Sequence, residues 1–130
     1  MKKLKIFKTK KIVNNNGHIT VFEKSNRIDF NFKRVFIVKS NKSKIRGKHA
    51  HKKCTQLLNC SVGSVEVQCE TKNKIKQSFT LNQPEKYLII PPMVWAVQIY
   101  KKNNTILTVI CDKAFNEKDY IRNYNNFLKY

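Results

Sequence analysis

Short apolar runs alternate with polar residues along most of the chain, and Asn, Ser, Lys, Gly and Pro separate them. Residues 64–69 show the pattern: Val65, Val67 and Cys69 fall on one face, because successive side chains of a strand point to opposite sides. Many short strands at a spacing of roughly 8–12 residues are typical of a sandwich or barrel. We predict β-strands at residues 4–7, 19–22, 34–38, 56–58, 64–69, 75–80, 87–90, 95–100 and 105–110.

A helical pattern is found only at the C-terminus. Asn116 is a candidate N-cap with Asp119 three residues later. An apolar stripe at helical spacing follows and predicts a helix that docks onto the sheet. The stripe consists of Tyr120, Ile121, Tyr124, Phe127 and Leu128.

The length and composition predict one domain spanning residues 1–130. With 130 residues and 41% hydrophobic content, the chain can bury a core, which excludes a disordered basic tail. No apolar run approaches the ~20 residues of a membrane span. The N-terminus has no uninterrupted apolar stretch of the secretory kind. We therefore expect a soluble cytoplasmic protein with no membrane partner.

The net charge is +19, from 27 Lys and Arg against 8 Asp and Glu. Such a charge attracts phosphate, so nucleic-acid binding is an alternative function. The lysines are spread through every segment, and only four basic residues are arginines, which suit bidentate phosphate or base contacts. We therefore expect no nucleic-acid partner.

The four cysteines form no C-x-x-C pair, so a structural zinc site is not indicated. Cys54, Cys60, Cys69 and Cys111 are expected to be reduced and buried. We assign them no chemical role.

His49 and His51 are separated by one residue, so on a strand both imidazoles point to the same face. Two surface histidines on a polar strand are the alternative. The spacing His49, His51, Gln56 and Gly63 resembles the first motif of the cupins, and residues 91–96 resemble the second. The resemblance implies an all-β fold, the cupin double-stranded β-helix or jelly-roll barrel, with the helix at its C-terminus.

Metal-binding cupins have Glu and His where this chain has Gln56 and Ala96. The donors that remain, two neutral imidazole nitrogens and an amide oxygen, form a poor binding site for a divalent ion. We therefore expect no metal and no cofactor. The two histidines are then available for proton transfer near neutral pH.

Several segments together resemble the dTDP-sugar 3,4-ketoisomerase family, whose members are metal-independent cupin homodimers. The resemblance implies conversion of dTDP-4-keto-6-deoxyglucose to a 3-keto-6-deoxyhexose, through an enediol, in deoxyamino-sugar biosynthesis. A nucleotide-sugar binder without catalysis is an alternative on the same fold. The segments are K-R-V at 33–35, R-G-x-H-A-H-K-K at 46–53, Q-x-L-x-C-x-x-G-S at 56–64, P-x-V-W at 92–95 and D-Y-I-R-x-Y at 119–124.

The resemblance implies that His49 is the base that removes the proton from carbon. His51 then shuttles the hydroxyl proton or has an orienting role. Mutual repulsion should keep at least one of the two neutral at pH 7. Arg46 is a candidate for the sugar oxygens or the diphosphate. A bend at Gly47 is needed for Arg46 and His49 to face inward together.

Three further residues are candidates for substrate binding, each with a structural alternative. Arg34 contacts the diphosphate or is a surface cation at a strand start. Gln56 hydrogen-bonds to the sugar or is a hydrogen-bond partner for the histidine pair. Trp95 forms a wall of the pocket or belongs to the core. Asp119 and Arg122 are assigned to the C-terminal helix and its docking.

The chain departs from the family at three positions. Phe36 stands where the family often has Tyr, which puts an acid role for that hydroxyl in doubt. Asn16 fills a position that is larger or charged in relatives, and Ala96 fills one that is commonly polar or His. If both line the sugar, selectivity at C4 is expected to be loose.

Overall fold

The computed structural model describes residues 3–24 and 30–130, and these form two five-stranded antiparallel sheets and a separate hairpin. The first sheet has the order β1 (Lys5–Lys8), β9 (Lys86–Ile90), β6 (Gln56–Val62), β11 (Thr105–Cys111) and β4 (Arg34–Ser40). The second has the order β12 (Tyr120–Ile121), β5 (Ile45–His51), β10 (Val94–Tyr100), β7 (Val65–Thr71) and β8 (Lys76–Leu81). The hairpin pairs β2 (Lys10–Asn14) with β3 (Gly17–Val21).

The main core lies between the two sheets and follows from the period-two alternation of the strands. On β10 and β11, buried residues alternate with partly exposed ones along the whole strand. This arrangement confirms the predicted all-β barrel with a C-terminal helix. The fully buried aliphatic side chains of this core include Leu58, Val65, Val67, Leu88 and Leu107.

The C-terminal helix is shorter than predicted. Helix α1 covers Tyr124–Lys129, whereas Tyr120 and Ile121 form β12. Pairing with His51 and Ala50 of β5 outweighs the helical periodicity of this segment. The predicted cap, Asn116, instead starts a 3₁₀-helix at Glu117–Asp119. None of the helices in the described ranges is both long and apolar enough to cross a membrane.

Candidate functional site

Both histidines point into the barrel from the end of β5. His51 is 6% exposed, and its ring centroid lies 5.1 Å from that of His49, with the two rings perpendicular. Between them along the strand, Ala50 packs on the outer face with Ile121 and Phe127. The period-two expectation for the H-x-H pair is therefore confirmed, and the alternative of two surface histidines is wrong.

A bulge at Gly47 brings Arg46 to the same face as His49. On β10, Ala96 pairs with His49 and Gln98 pairs with Arg46, and the register shifts between them. Gly47 adopts a φ of 84°, in the left-handed region that favours glycine. A Cβ at Gly47 would lie 3.1 Å from the Ala96 carbonyl oxygen. The predicted bend at Gly47 is confirmed.

Asp119 orients His51. Oδ2 of Asp119 lies 3.0 Å from Nδ1 of His51. Because a carboxylate only accepts hydrogen bonds, Nδ1 carries the hydrogen and the neutral ring keeps its lone pair on Nε2. Nε2 is buried and has no hydrogen-bond partner among the described residues. The free lone pair makes His51 a candidate general base.

The Asp119 carboxylate is itself held by the turn that follows β5. The backbone N–H of Lys53 donates to Oδ1 at 2.7 Å, and that of Cys54 donates to Oδ2 at 3.3 Å. The backbone N–H of Lys52 donates to the Asp119 carbonyl oxygen at 2.8 Å. The helical spacing around Asp119 predicted helix docking, and this role was not predicted. The available signal was its place in a family motif as one of only eight acidic residues.

Burial keeps both histidines neutral at pH 7. Burial, assisted by the neighbouring His51, lowers the pKa of His49 from 6.5 to about 4. Burial also lowers the pKa of His51, while the hydrogen bond to Asp119 opposes this shift. Of the two rings, His51 is therefore the one whose protonated form the site supports.

Arg34 and Gln56 meet at the thiol of Cys111. Arg34 Nη2 and Gln56 Nε2 each lie 3.5 Å from the Cys111 sulfur. The contact with the Cys54 thiol lowers the pKa of Cys111 against the opposing effect of burial, and these two donors lower it further. Arg34 Nη2 also donates to the hydroxyl of Tyr120 at 3.1 Å. Arg34 and Gln56 thus belong to an internal network at the site.

The structure separates the other candidate residues. Ala96 lies opposite His49 on the inner face, whereas Trp95 lies on the outer face against Tyr124 and Phe127. Trp95 lines an external cleft of about 610 Å³ rather than the surroundings of the histidines. Asn16 is exposed at the tip of the β2–β3 hairpin, which forms a sheet of its own. The structure therefore does not bring Trp95 or Asn16 to the histidines within one chain.

One of the four buried cysteines, Cys54, lies close to a histidine and a carboxylate. All four cysteines are free and buried, as expected. His51, Cys54 and Asp119 offer ligand atoms within 4.8 Å of one another. However, both Asp119 oxygens already accept protein N–H groups, and contact with Cys111 and burial raise the pKa of the Cys54 thiol. This donor set fits a cation poorly, and the absence of a metal remains a prediction.

Comparison with protein families gives a match over nearly the whole chain. Residues 2–130 match the family model described as FdtA: WxcM-like, C-terminal. A curated protein of Aneurinibacillus thermoaerophilus is 36% identical over 97% of this chain and 91% of its own length. It is named TDP-4-oxo-6-deoxy-alpha-D-glucose-3,4-oxoisomerase.

Solved structures with the same fold bear related names. A sugar 3,4-ketoisomerase from Thermoanaerobacterium thermosaccharolyticum, in complex with TDP, is 33% identical with a TM-score of 0.90. The match covers 97% of this chain and 92% of that one. A TDP-quinovose 3,4-ketoisomerase from Campylobacter jejuni is 28% identical with a TM-score of 0.89, and both chains are covered completely.

Proposed function

The chain belongs to the FdtA family and is a dTDP-sugar 3,4-ketoisomerase, and we propose that the two histidines of β5 transfer its protons. The substrate class is a dTDP-linked 4-keto-6-deoxyhexose, like the sugar in the name of the curated relative. Moving the carbonyl from C4 to C3 requires removal of the proton on C3, an enediol, and delivery of a proton to C4. No redox cofactor is needed, because the oxidation of C3 balances the reduction of C4.

His51 is the proposed base at carbon, with His49 assisting, which reverses the roles that the family resemblance implies. The contact between His51 and Asp119 carries this assignment. Asp119 fixes the tautomer that leaves Nε2 unprotonated, and its charge stabilises the imidazolium that forms during proton abstraction. In the described part of the chain no carboxylate hydrogen-bonds to His49, and its pKa of about 4 makes it a weak base.

Exchange of hydrogen at C3 tests this assignment. Incubation of dTDP-4-keto-6-deoxyglucose in deuterated water with the His51→Asn variant should give neither exchange nor product. His49→Asn should retain measurable exchange, and His18→Asn, an exposed histidine of the hairpin, should behave as the wild type. If His49→Asn abolishes exchange and His51→Asn retains it, the roles are those implied by the family resemblance.

The wild-type reaction also separates an enzyme from a binding protein. Turnover in deuterated water should give a 3-keto product with solvent deuterium at C4. Tight dTDP binding without exchange or product would instead identify a nucleotide-sugar binder without catalysis. Retention of the barrel histidines as neutral bases favours the enzyme.

Arg46 is the proposed partner of the diphosphate. It faces inward through the Gly47 bulge and is exposed, so its guanidinium is accessible. Arg34, in contrast, already donates to Cys111 and Tyr120. Gln56 and Ala96 are proposed to face the sugar from β6 and β10. Arg46→Ala should raise the Kd for dTDP at least about tenfold, the effect expected for loss of a charge-assisted hydrogen bond of 1.5–3 kcal/mol.

We also propose that the protein is a homodimer. The β2–β3 hairpin forms a sheet of its own, and an isolated two-stranded hairpin is only marginally stable in water. Its Val13 is 69% exposed, and on the barrel Ile37 of β4 is 66% exposed. Exposed apolar surface of this kind is typical of an interface. The second copy would cover these residues, and its hairpin tip would bring Asn16 to the neighbouring site.

Light scattering coupled to gel filtration tests the dimer. The wild type should have twice the chain mass of 15.4 kDa, and Ile37→Asp should shift the mass toward the monomer. Ile75→Asp is the matched control, because Ile75 is 55% exposed beside β8 in the other sheet. A monomeric wild type would contradict the proposal.

The remaining proposals concern location and other partners. We propose a cytoplasmic protein, which the four free cysteines support because disulfides are rare in that compartment. We propose no membrane or nucleic-acid partner. Retention on DNA that falls steeply with salt and survives saturation with dTDP would contradict the latter.

A further inference from the structure

The ring of Tyr120 packs against the rings of both histidines. In β12 it pairs with His51 of β5, so both side chains point to the same inner face. Its ring centroid is 4.3 Å from that of His51 and 5.2 Å from that of His49. A phenol therefore lines the part of the barrel where the proposed base is located.

The hydroxyl of Tyr120 is held by a cation. Arg34 Nη2 donates to this oxygen at 3.1 Å, so the hydrogen of the hydroxyl remains available for donation elsewhere. A guanidinium that donates to a phenol oxygen stabilises the charge left when the phenol loses its proton. Arg34 is fixed in turn by the Cys111 sulfur at 3.5 Å and by stacking over Phe36 at 5.2 Å.

His51, assisted by His49, moves the carbon-bound protons, and the oxygen-bound protons still need a carrier. During 3,4-ketoisomerisation, O4 gains a proton when the enediol forms, and O3 loses one when the new carbonyl forms. Phe36, at the position where family members often have Tyr, has no hydroxyl to supply. Among the residues that the structure describes, Tyr120 is the phenol that contacts both histidine rings.

We propose that Tyr120, held by Arg34, carries the proton between O4 and O3 of the sugar, a role that rests on the proposed function. As His51 takes the proton from C3, the Tyr120 hydroxyl donates its proton to O4, which gives the enediol and a phenolate paired with Arg34. The phenolate then takes the proton from O3, and His51, after its imidazolium has exchanged its proton with solvent, delivers a proton to C4. Both residues end in their starting states, and no electrons are exchanged with any other group.

Several charged or titratable groups surround Tyr120, and all of them contribute to the pH dependence of kcat. Arg34 faces it from β4, and His49 and His51 face it from β5. Arg122 lies over its ring at 4.2 Å and pairs with Glu117. Asp119 precedes it and contacts His51.

The first test is Tyr120→Phe, with Tyr124→Phe as the matched control. The phenol of Tyr124 donates to Glu70 on the outer side of the barrel, so its loss should leave turnover unchanged. Tyr120→Phe should lower kcat by about 10²- to 10⁴-fold, the usual contribution of a positioned acid or base. The KM and the affinity for dTDP should change little, because the change removes a proton carrier and leaves the ring.

The second test distinguishes proton transfer from packing. Replacement of Tyr120 by a fluorinated tyrosine keeps the ring and makes the phenol more acidic. The alkaline limb of the kcat profile should then move to lower pH, and the same replacement at Tyr124 should not move it. This measurement remains informative if the Phe variant fails to fold.

The outcomes separate this proposal from the one on which it depends. A wild type without turnover would contradict the proposed function itself. An active wild type whose Tyr120→Phe variant keeps its kcat would overturn only the role of Tyr120. An unchanged alkaline limb in the fluorotyrosine protein would overturn it as well, because the phenol would then act through packing alone.

Discussion

The buried state of His49 predicts a loss of stability in mild acid. In the unfolded chain an imidazole has a pKa near 6.5, whereas burial and the neighbouring His51 lower the pKa of folded His49 to about 4. Between these values the unfolded chain binds a proton that the folded protein does not. Stability from this group is therefore complete above pH 6.5 and is lost as the pH falls toward 4.

The size of the effect follows from the two pKa values. Each tenfold change in an ionisation constant corresponds to 1.36 kcal/mol, so His49 contributes about 2 kcal/mol of destabilisation by pH 5 and about 3 kcal/mol by pH 4. Replacement by Asn removes the titrating group. The free energy of unfolding of His49→Asn should therefore fall by about 2 kcal/mol less than that of the wild type between pH 7.5 and pH 5.

Urea denaturation at the two pH values measures this difference. Trp95 is the single tryptophan and packs against Tyr124 and Phe127, so its fluorescence reports unfolding. His51 and the carboxylates titrate in both proteins, and comparing the two proteins isolates His49. The exposed His18 provides the control variant His18→Asn, which should follow the wild type. Equal losses in wild type and His49→Asn would refute the inference that the imidazole is buried and neutral.

Three further predictions concern the site and the bulge. Asp119→Asn should lower kcat at least about tenfold. Because Asp119 raises the pKa of His51, the acid limb of the pH–rate profile should also move to lower pH. An unchanged profile would contradict the pairing of Asp119 with His51. Gly47→Ala should lower the free energy of unfolding by about 1–3 kcal/mol through backbone strain. Thermal denaturation measures this loss, and a midpoint equal to that of the wild type would contradict the strain at Gly47. Exhaustive chelation should leave turnover intact, and restoration of a lost activity by a divalent ion would contradict the prediction of no metal.

Strand periodicity predicted most of the barrel and part of the site. Alternation along β7 correctly predicted that Val65, Val67 and Cys69 share the face toward the core, because a strand has only two faces. The same rule placed His49 and His51 together, and the glycine between them and Arg46 predicted the bend that the bulge provides. Applied to neighbouring residues, the rule also shows that Trp95 and Ala96 cannot both face inward.

The C-terminal segment shows where local pattern is insufficient. Tyr120, Ile121 and Tyr124 have helical spacing, yet the first two form a strand because β5 offers an unpaired edge. Backbone pairing with a distant strand is absent from any window of the sequence. The prediction of a C-terminal helix was therefore correct, but the helix starts later in the chain than predicted.

The sequence by itself determined most of the strands, the shared face of the histidine pair and the special backbone at Gly47, since each depends on residues close together in the chain. Only the tertiary structure decided what surrounds those histidines. Asp119 is 68 residues from His51, and Tyr120 is 86 residues from Arg34. Such contacts arise from the closure of two sheets around one core. That closure selects the tautomer of His51, the neutrality of His49 and the position of the phenol against both rings.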